Sequence, residues 1–374
     1  MDGSIVNVFY LPAGAENFDP NRSARVPRPT VKDVAAAAGV SATTVSRVLA
    51  GNYPVSASTR NRVLRAVQEL DFVINAQARA LVGGSTRTVA FIVRDLVGPL
   101  FAYIGQGVEQ QATAEGRVCL VCTHHGDADR ELELIELMRE QQAEAVVLVG
   151  GGLRTPEHVE RMAQIARSLE RVGSRLVLCG RPPIGPDAPA TVVEYDNEGG
   201  AFAVTNYLIS LGHRRIAFVG AAEPEHTTTS ARFDGFTRAH RAHGLTVDDE
   251  LVVGGTFDRE SGYQQTKALL ARRTNMTAII GITDMVASGV LAALREAGLR
   301  VPEDISVAGY DDIPLSADLS PALTTVHIPH EELGRAAVRL ALHRDEYALD
   351  QHLLLGTHVV IRDSTAPPRE NDAR

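Results

Sequence analysis

The chain has 374 residues, 44 % of them hydrophobic and 22 % charged, with three cysteines and a net charge of −9. That length allows two or three domains with sizeable cores, and no apolar run is long enough to span a membrane. The acidic total excludes a protein that coats nucleic acid along its whole surface, and so few cysteines fit a reducing, cytoplasmic setting rather than a disulfide framework. The charge is uneven, however. Between Arg28 and Gly84 seven basic residues face three acids, a surplus of four, as expected where only one part of the molecule touches DNA.

Residues 1–29 carry Pro, Gly, Asn and Asp without periodicity and read as a disordered tail. The apolar piece Ile5–Leu11 follows Asp2 instead of a basic stretch, so a secretory signal is not expected. Val31–Ala50 is different. Val31, Val34, Ala35 and Ala38 recur at helical spacing, as do Val45, Val48 and Leu49, and Gly39-Val40-Ser41 separates the two runs. That is the layout of a helix-turn-helix. Gly39 suits a left-handed helix end, Ser41 an N-cap, and Thr30 with Asp33 a capping pair. Small Ala35 and Ala36 would let the two helices cross closely. Ser56 would cap a third helix to about Leu70, with Val63, Leu64, Val67 and Leu70 on its inner face. Residues 30–73 are thus expected to be an all-α DNA-binding headpiece. Asn75–Leu81 reads as a short hinge helix before a Gly/Ser linker, the segment spanning residues 74–87. Arg79 is a base-seeking side chain there, and Leu81 is a wedge able to enter a minor-groove base step.

From Thr88 onward apolar strand runs alternate with helical patterns in two successive series of similar size. Buried strands alternating with helices mean parallel, doubly wound sheets, so an α/β body of two lobes is expected, with a ligand cleft beyond the strand C-termini. Val118–Thr123 reads as one such buried strand. Cys119 and Cys122 lie three apart on it and point to opposite faces, which suits neither a redox pair nor a metal clamp. Gly150-Gly151-Gly152 lacks the Gly-Lys-Ser/Thr ending of a phosphate loop and reads as a tight turn. Asp196-Asn197 and Asp284 read as helix caps. Asp311-Asp312 has no partner that would make it a catalytic carboxylate pair. No enzyme activity, cofactor or metal is expected.

Five motifs occur in order: TVKDVAAAAGVSATTVSRVLAG, VSASTRNRVLRAVQELDFVINAQARAL, LGHRRIAFVG, GVLAALREAGLRVPEDISVAGYDDIP and SPALTTVHIP. With them the chain resembles the LacI/GalR family of bacterial transcription regulators, from about Pro29 to Pro368. The resemblance implies a helix-turn-helix headpiece, a hinge helix and a type I periplasmic-binding-protein-like body that dimerises on a pseudo-palindromic operator. Three crossings between lobes follow from that layout. Residues 88–189 plus 328–346 would form the first lobe, residues 190–327 plus 347–366 the second, and residues 367–374 a tail. The resemblance puts Ala42, Thr43 and Arg47 at base-reading positions, Thr44 and Ser46 on phosphates, and Leu81 at the intercalating position. It places Phe101 of the first lobe, and His226, Thr228, Arg232, Phe257, Thr283 and Asp311 of the second, around an effector. Arg232 and Asp311 can fork onto adjacent hydroxyls and the two phenylalanines can cover an apolar ring face, which suits a small carbohydrate. Purine-like or phosphorylated effectors stay open, with His226 and Arg232 as cationic handles. Arg94 and Gly98 stand where relatives usually carry Pro and Asn. The function expected is a ligand-switched repressor; the alternative is a transport-type sugar-binding protein without a DNA role.

Overall fold

The structure is a computed structural model that describes residues 29–50, 54–72, 86–185, 188–220, 225–272, 274–343 and 352–369. The chain divides into two compact units, Met1–Gly84 and Ser85–Arg374. Residues 1–28 of the expected tail (1–29) and residues 74–85 of the expected hinge segment (74–87), with Arg79 and Leu81, lie outside the described residues.

The described part of the first unit is three helices: α1 (Val31–Ala38), α2 (Ala42–Ala50) and α3 (Ala57–Glu69). Thr30 and Asp33 close a reciprocal capping box on α1, and Gly39 ends it at φ 61°, ψ 43°. Ser41 accepts the Thr44 N–H at 3.1 Å and Ser56 accepts that of Thr59 at 3.3 Å. The core is small: Val34, Ala35, Ala38, Val45, Val48, Val63 and Ala66. Two expectations fail here. Ala36 is exposed, and Leu64 is 45 % exposed because Val63 and Ala66 occupy the inner face of α3.

The second unit contains two parallel sheets. The first orders its strands β11-β5-β4-β3-β1-β2, from β1 (Thr88–Val93), β2 (Val118–Thr123), β3 (Ala145–Val149), β4 (Arg175–Cys179), β5 (Ala190–Tyr195) and β11 (His352–Leu355). The second orders β7-β6-β8-β9, from β6 (Ile216–Val219), β7 (Val252–Val253), β8 (Ala278–Gly281) and β9 (Ser306–Ala308). An antiparallel pair, β10 (Thr325–His327) with β12 (His358–Val360), completes the strands described. Residues 190–195 and 352–355 therefore belong to the first sheet, since β5 pairs with β4 and β11 with β5. The expected lobe boundaries at 189/190 and 346/347 shift accordingly. A short apolar run such as Ala190–Tyr195 fits either sheet; only pairing decides. Among the described residues the chain passes between lobes at Asp196, Pro329 and Gly356-Thr357.

Strand β2 also departs from its expected burial. It is an edge strand, and Val118, Leu120 and Val121 are 63 %, 41 % and 50 % exposed. Its cysteines are free, and burial pushes the Cys119 thiol up to about 11. Helix α4 (Pro99–Ala114) packs on α12 (His330–Leu342), the segment that returns to the first lobe. The crossing is close enough that a Cβ on Gly107 would lie 2.1 Å from the Glu331 carbonyl oxygen, and one on Gly334 would lie 2.2 Å from that of Ile104.

Candidate functional site

On α2, Ala42, Thr43 and Arg47 are exposed, while Thr44 and Ser46 are half-buried. The Thr44 hydroxyl is 2.8 Å from that of Ser41, so an anchor at Thr44 shares its hydroxyl with the N-cap. The exposed set lies on the face turned away from Val45 and Val48, and it offers a guanidinium, a hydroxyl and methyl groups in one row.

A cavity of about 560 Å³ lies between the two lobes. Its wall is built by segments that follow strand C-termini, where open α/β sheets place ligands. Arg94 follows β1, His124 follows β2, Gly150 follows β3, Phe257 comes after β7, Thr283 after β8 and Asp311 after β9. All seven residues named for the effector line it: Phe101 from the first lobe, and His226, Thr228, Arg232, Phe257, Thr283 and Asp311 from the second. Phe101, in the first turn of α4, is seated against Gly98 and Gly150, whose added Cβ atoms would fall 3.1 and 3.0 Å from its ring.

Arg232, on α8 (Thr227–Ala242), is only 2 % exposed and is already heavily bonded. It donates to Asn197 Oδ1 at 2.9 Å, to the Ile282 carbonyl, to Tyr195 Oη at 3.3 Å and to Asp311 Oδ1 at 3.0 Å, and its carbon lies 3.6 Å over the Tyr310 ring. Burial pushes Asp311 up to about 6, with the Arg232 guanidinium pulling the other way. The expected fork of Arg232 and Asp311 thus exists as an ion pair at the cavity edge. Asp311 is held in place at φ 110° by its N–H, which donates to the Val326 carbonyl at 2.9 Å, and Asp312 follows at φ 55°.

His226 is not a cationic handle. Burial, then Arg181 and Arg94, push it down to about 4, so a neutral imidazole faces the cavity near pH 7. Asp284 is not the helix cap either. Thr283 caps α10 (Asp284–Glu296), accepting the Val286 N–H at 3.2 Å. Asp284 is buried, and its carboxylate accepts from Ser316 and Thr325 hydroxyls at 2.5 Å each and from Ile313 N at 3.0 Å. Burial and the neighbouring Asp311 push it up to about 7. Asp196 does cap its helix, accepting the Gly199 N–H at 2.7 Å.

Sequence reasoning missed a polar wall on the first lobe. Arg181 grips Glu131 with two hydrogen bonds of 3.0 Å, and His124 and His158 place their Nε2 atoms 3.6 and 4.0 Å from the Glu131 oxygens. His124, Glu131 and His158 line the cavity. These residues come from three separate segments, so no local spacing betrays them. The Gly150-Gly151-Gly152 turn was also underread. Its backbone meets the second lobe: Thr227 N donates to the Gly152 carbonyl at 2.9 Å and Arg154 N to that of Glu225 at 2.8 Å. Gly152 N and Arg154 Nη1 add bonds of 3.0 Å each to the Thr227 and Ser230 hydroxyls. A Cβ on Gly151 would lie 2.3 Å from His226.

Comparison with known proteins agrees with both halves. Residues 30–75 match the family model described as bacterial regulatory proteins, lacI family, and residues 205–365 match a periplasmic binding protein-like domain. The HTH-type transcriptional repressor PurR of Aliivibrio fischeri is 34 % identical over 84 % of this chain and 91 % of its own length. A transcriptional regulator CelR–cellobiose complex superposes with a TM-score of 0.65 at 33 % identity, covering 90 % of this chain and 100 % of that one. The lac repressor dimer bound to operator and the anti-inducer ONPF gives 0.75 at 25 % identity, covering 90 % and 99 %.

Proposed function

The chain belongs to the LacI family of bacterial regulatory proteins, and on that premise we propose that it is a repressor whose grip on operator DNA is set by a small neutral carbohydrate between its lobes. The observation that carries this reading is the pairing, in one chain, of an exposed Ala42-Thr43-Arg47 face on a helix-turn-helix with an interlobe cavity. Arg47 forks onto guanine O6/N7, Thr43 meets a base edge or a thymine methyl, and Thr44 and Ser46 hold phosphates. Arg79 and Leu81 act in the minor groove. One headpiece contacts few bases, so a homodimer reads a pseudo-palindromic site in the cytoplasm.

The carbohydrate assignment rests on charge balance. Arg232 pairs with Asp311, Arg181 with Glu131, and Arg94 lies 3.9 Å from Asp95, while Asp258 caps its own helix through Ser261, so the wall has no surplus of positive charge with which to receive an anion. Phe101 and Phe257 supply ring-sized apolar faces. Three of the seven residues keep unspent capacity for hydrogen bonds, since Thr228, the remaining Asp311 oxygen and the unpartnered Nδ1 of His226 all belong to residues that line the cavity. The CelR neighbour's cellobiose is in keeping with this class. Effector binding changes the angle between lobes and so the operator affinity of the dimer.

The test is fluorescence anisotropy of the purified protein on DNA from its own promoter region, across a salt series and with neutral sugars added. Salt-sensitive binding that a neutral sugar alters by about tenfold is expected. Binding that no sugar changes, while a purine base or a sugar phosphate does, would remove the carbohydrate half. Arg47→Ala should lower specific affinity by about tenfold or more and leave the melting temperature unchanged, because one bidentate base contact is worth about 1–3 kcal/mol. Leu81→Ala should weaken specific binding while nonspecific binding persists.

A further inference from the structure

The first-lobe wall of the cavity holds more polar capacity than its own contacts use. Glu131 accepts two hydrogen bonds from Arg181, which leaves lone pairs on both oxygens. The imidazoles of His124 and His158 approach those oxygens no closer than 3.6 and 4.0 Å, too far for hydrogen bonds. His124 is 9 % exposed, and its Nδ1 is enclosed without a partner.

The chemistry of that group follows from the wall. Burial lowers both histidines, so they are neutral near pH 7 and each ring offers one donor and one acceptor. Glu131 repels an anion, and Arg181 behind it repels a cation. A hydroxyl is the neutral group that both donates to a carboxylate and serves an imidazole of either tautomer. Size adds a second argument. At about 30 Å³ per water, a cavity of about 560 Å³ takes on the order of twenty water-sized groups, more than one sugar ring fills.

We propose that His124, His158 and Glu131 form a second recognition subsite that takes the hydroxyls of a second sugar ring, so that the effector is a neutral disaccharide lying across both lobes. This rests on the carbohydrate reading above and extends it. Arg232 and Asp311 hold one ring from the second lobe, and the polar wall reads the other from the first. Only the second ring engages the polar wall, so the wall sets the preference for length.

Isothermal titration of the full-length protein tests this with cellobiose, maltose, lactose and trehalose against glucose, galactose and ribose. At least one disaccharide should bind about tenfold or more tightly than either of its component monosaccharides. His124→Ala, with His124→Gln as a check on folding, should remove about tenfold from the disaccharide and leave monosaccharide binding within twofold. A monosaccharide that binds as tightly as every disaccharide overturns the subsite, and so does an equal loss for both ligands in the folded variants. If no neutral sugar binds while adenine, hypoxanthine or glucose 6-phosphate does, the carbohydrate reading falls and the subsite with it.

Discussion

Arg232 shows how a residue proposed to bind the effector can be a poor target for a test of binding. Removing its side chain leaves the Asp311 carboxylate buried without its guanidinium, and breaking such a pair costs on the order of 3–5 kcal/mol. Arg232→Ala should therefore lower the melting temperature by several degrees as well as abolish the effector response. Phe257→Ala is the cleaner probe. Phe257 is only partly buried and carries no ion pair, so effector affinity should fall about tenfold while the melting temperature moves little. Equal melting losses in the two variants would show that Arg232 is not integral to the second lobe. The identity of both residues was legible in the sequence, because they sit in motifs of a recognisable family. Their charge environment was not. His226 looked cationic until burial and two arginines were placed around it, and Asp284 looked like a cap until Thr283 took that place.

Among elements, the best-read were those whose ends carry local chemistry. Thr30, Gly39, Ser41 and Ser56 each satisfy helix-terminal groups within four residues of chain, so their signals survive in a one-dimensional reading. Thr30→Ala should lower headpiece stability by about 1 kcal/mol, measured on the intact protein by hydrogen exchange in α1. Strands were read less well, since pairing is non-local. The apolar sequence of β2 cannot say that it lies at a sheet edge, nor can that of β5 say which sheet it joins. The close crossing of α4 and α12 was equally invisible. Gly107→Ala should lower body stability by about 1–3 kcal/mol or more, because backbone, and not a flexible side chain, blocks the added methyl. A melting curve unchanged from the native one would mean that the two helices separate more easily than their packing implies.

At the scale of the whole molecule, two sets of buried groups oppose each other across one pH range. His226 and His330 are both pushed down to about 4, chiefly by burial, so the fold rejects their protons. Their stabilising contribution is complete above pH 6.5 and is lost as pH falls toward 4. Asp284 and Asp311 are pushed up, to about 7 and about 6, so the fold retains their protons. Their contribution is complete below 3.8 and is lost as pH rises toward 7. The two slopes cancel in part between pH 4 and 7. Asp284→Asn removes one member of the second set, so its melting temperature should climb with pH over that interval more steeply than that of the native protein. Parallel profiles would remove Asp284 from this balance.

The glycine turn at residues 150–152 bears on the molecule as a whole in another way. It meets the second lobe through main-chain groups, and Gly151→Ala should hold the lobes apart, with a larger radius of gyration in solution scattering and weaker effector binding. On its first-lobe side the catch is main chain, so cavity side chains other than His226 and Thr228, which Gly151 packs against, can change over evolutionary time while that side of the closure stays as it is.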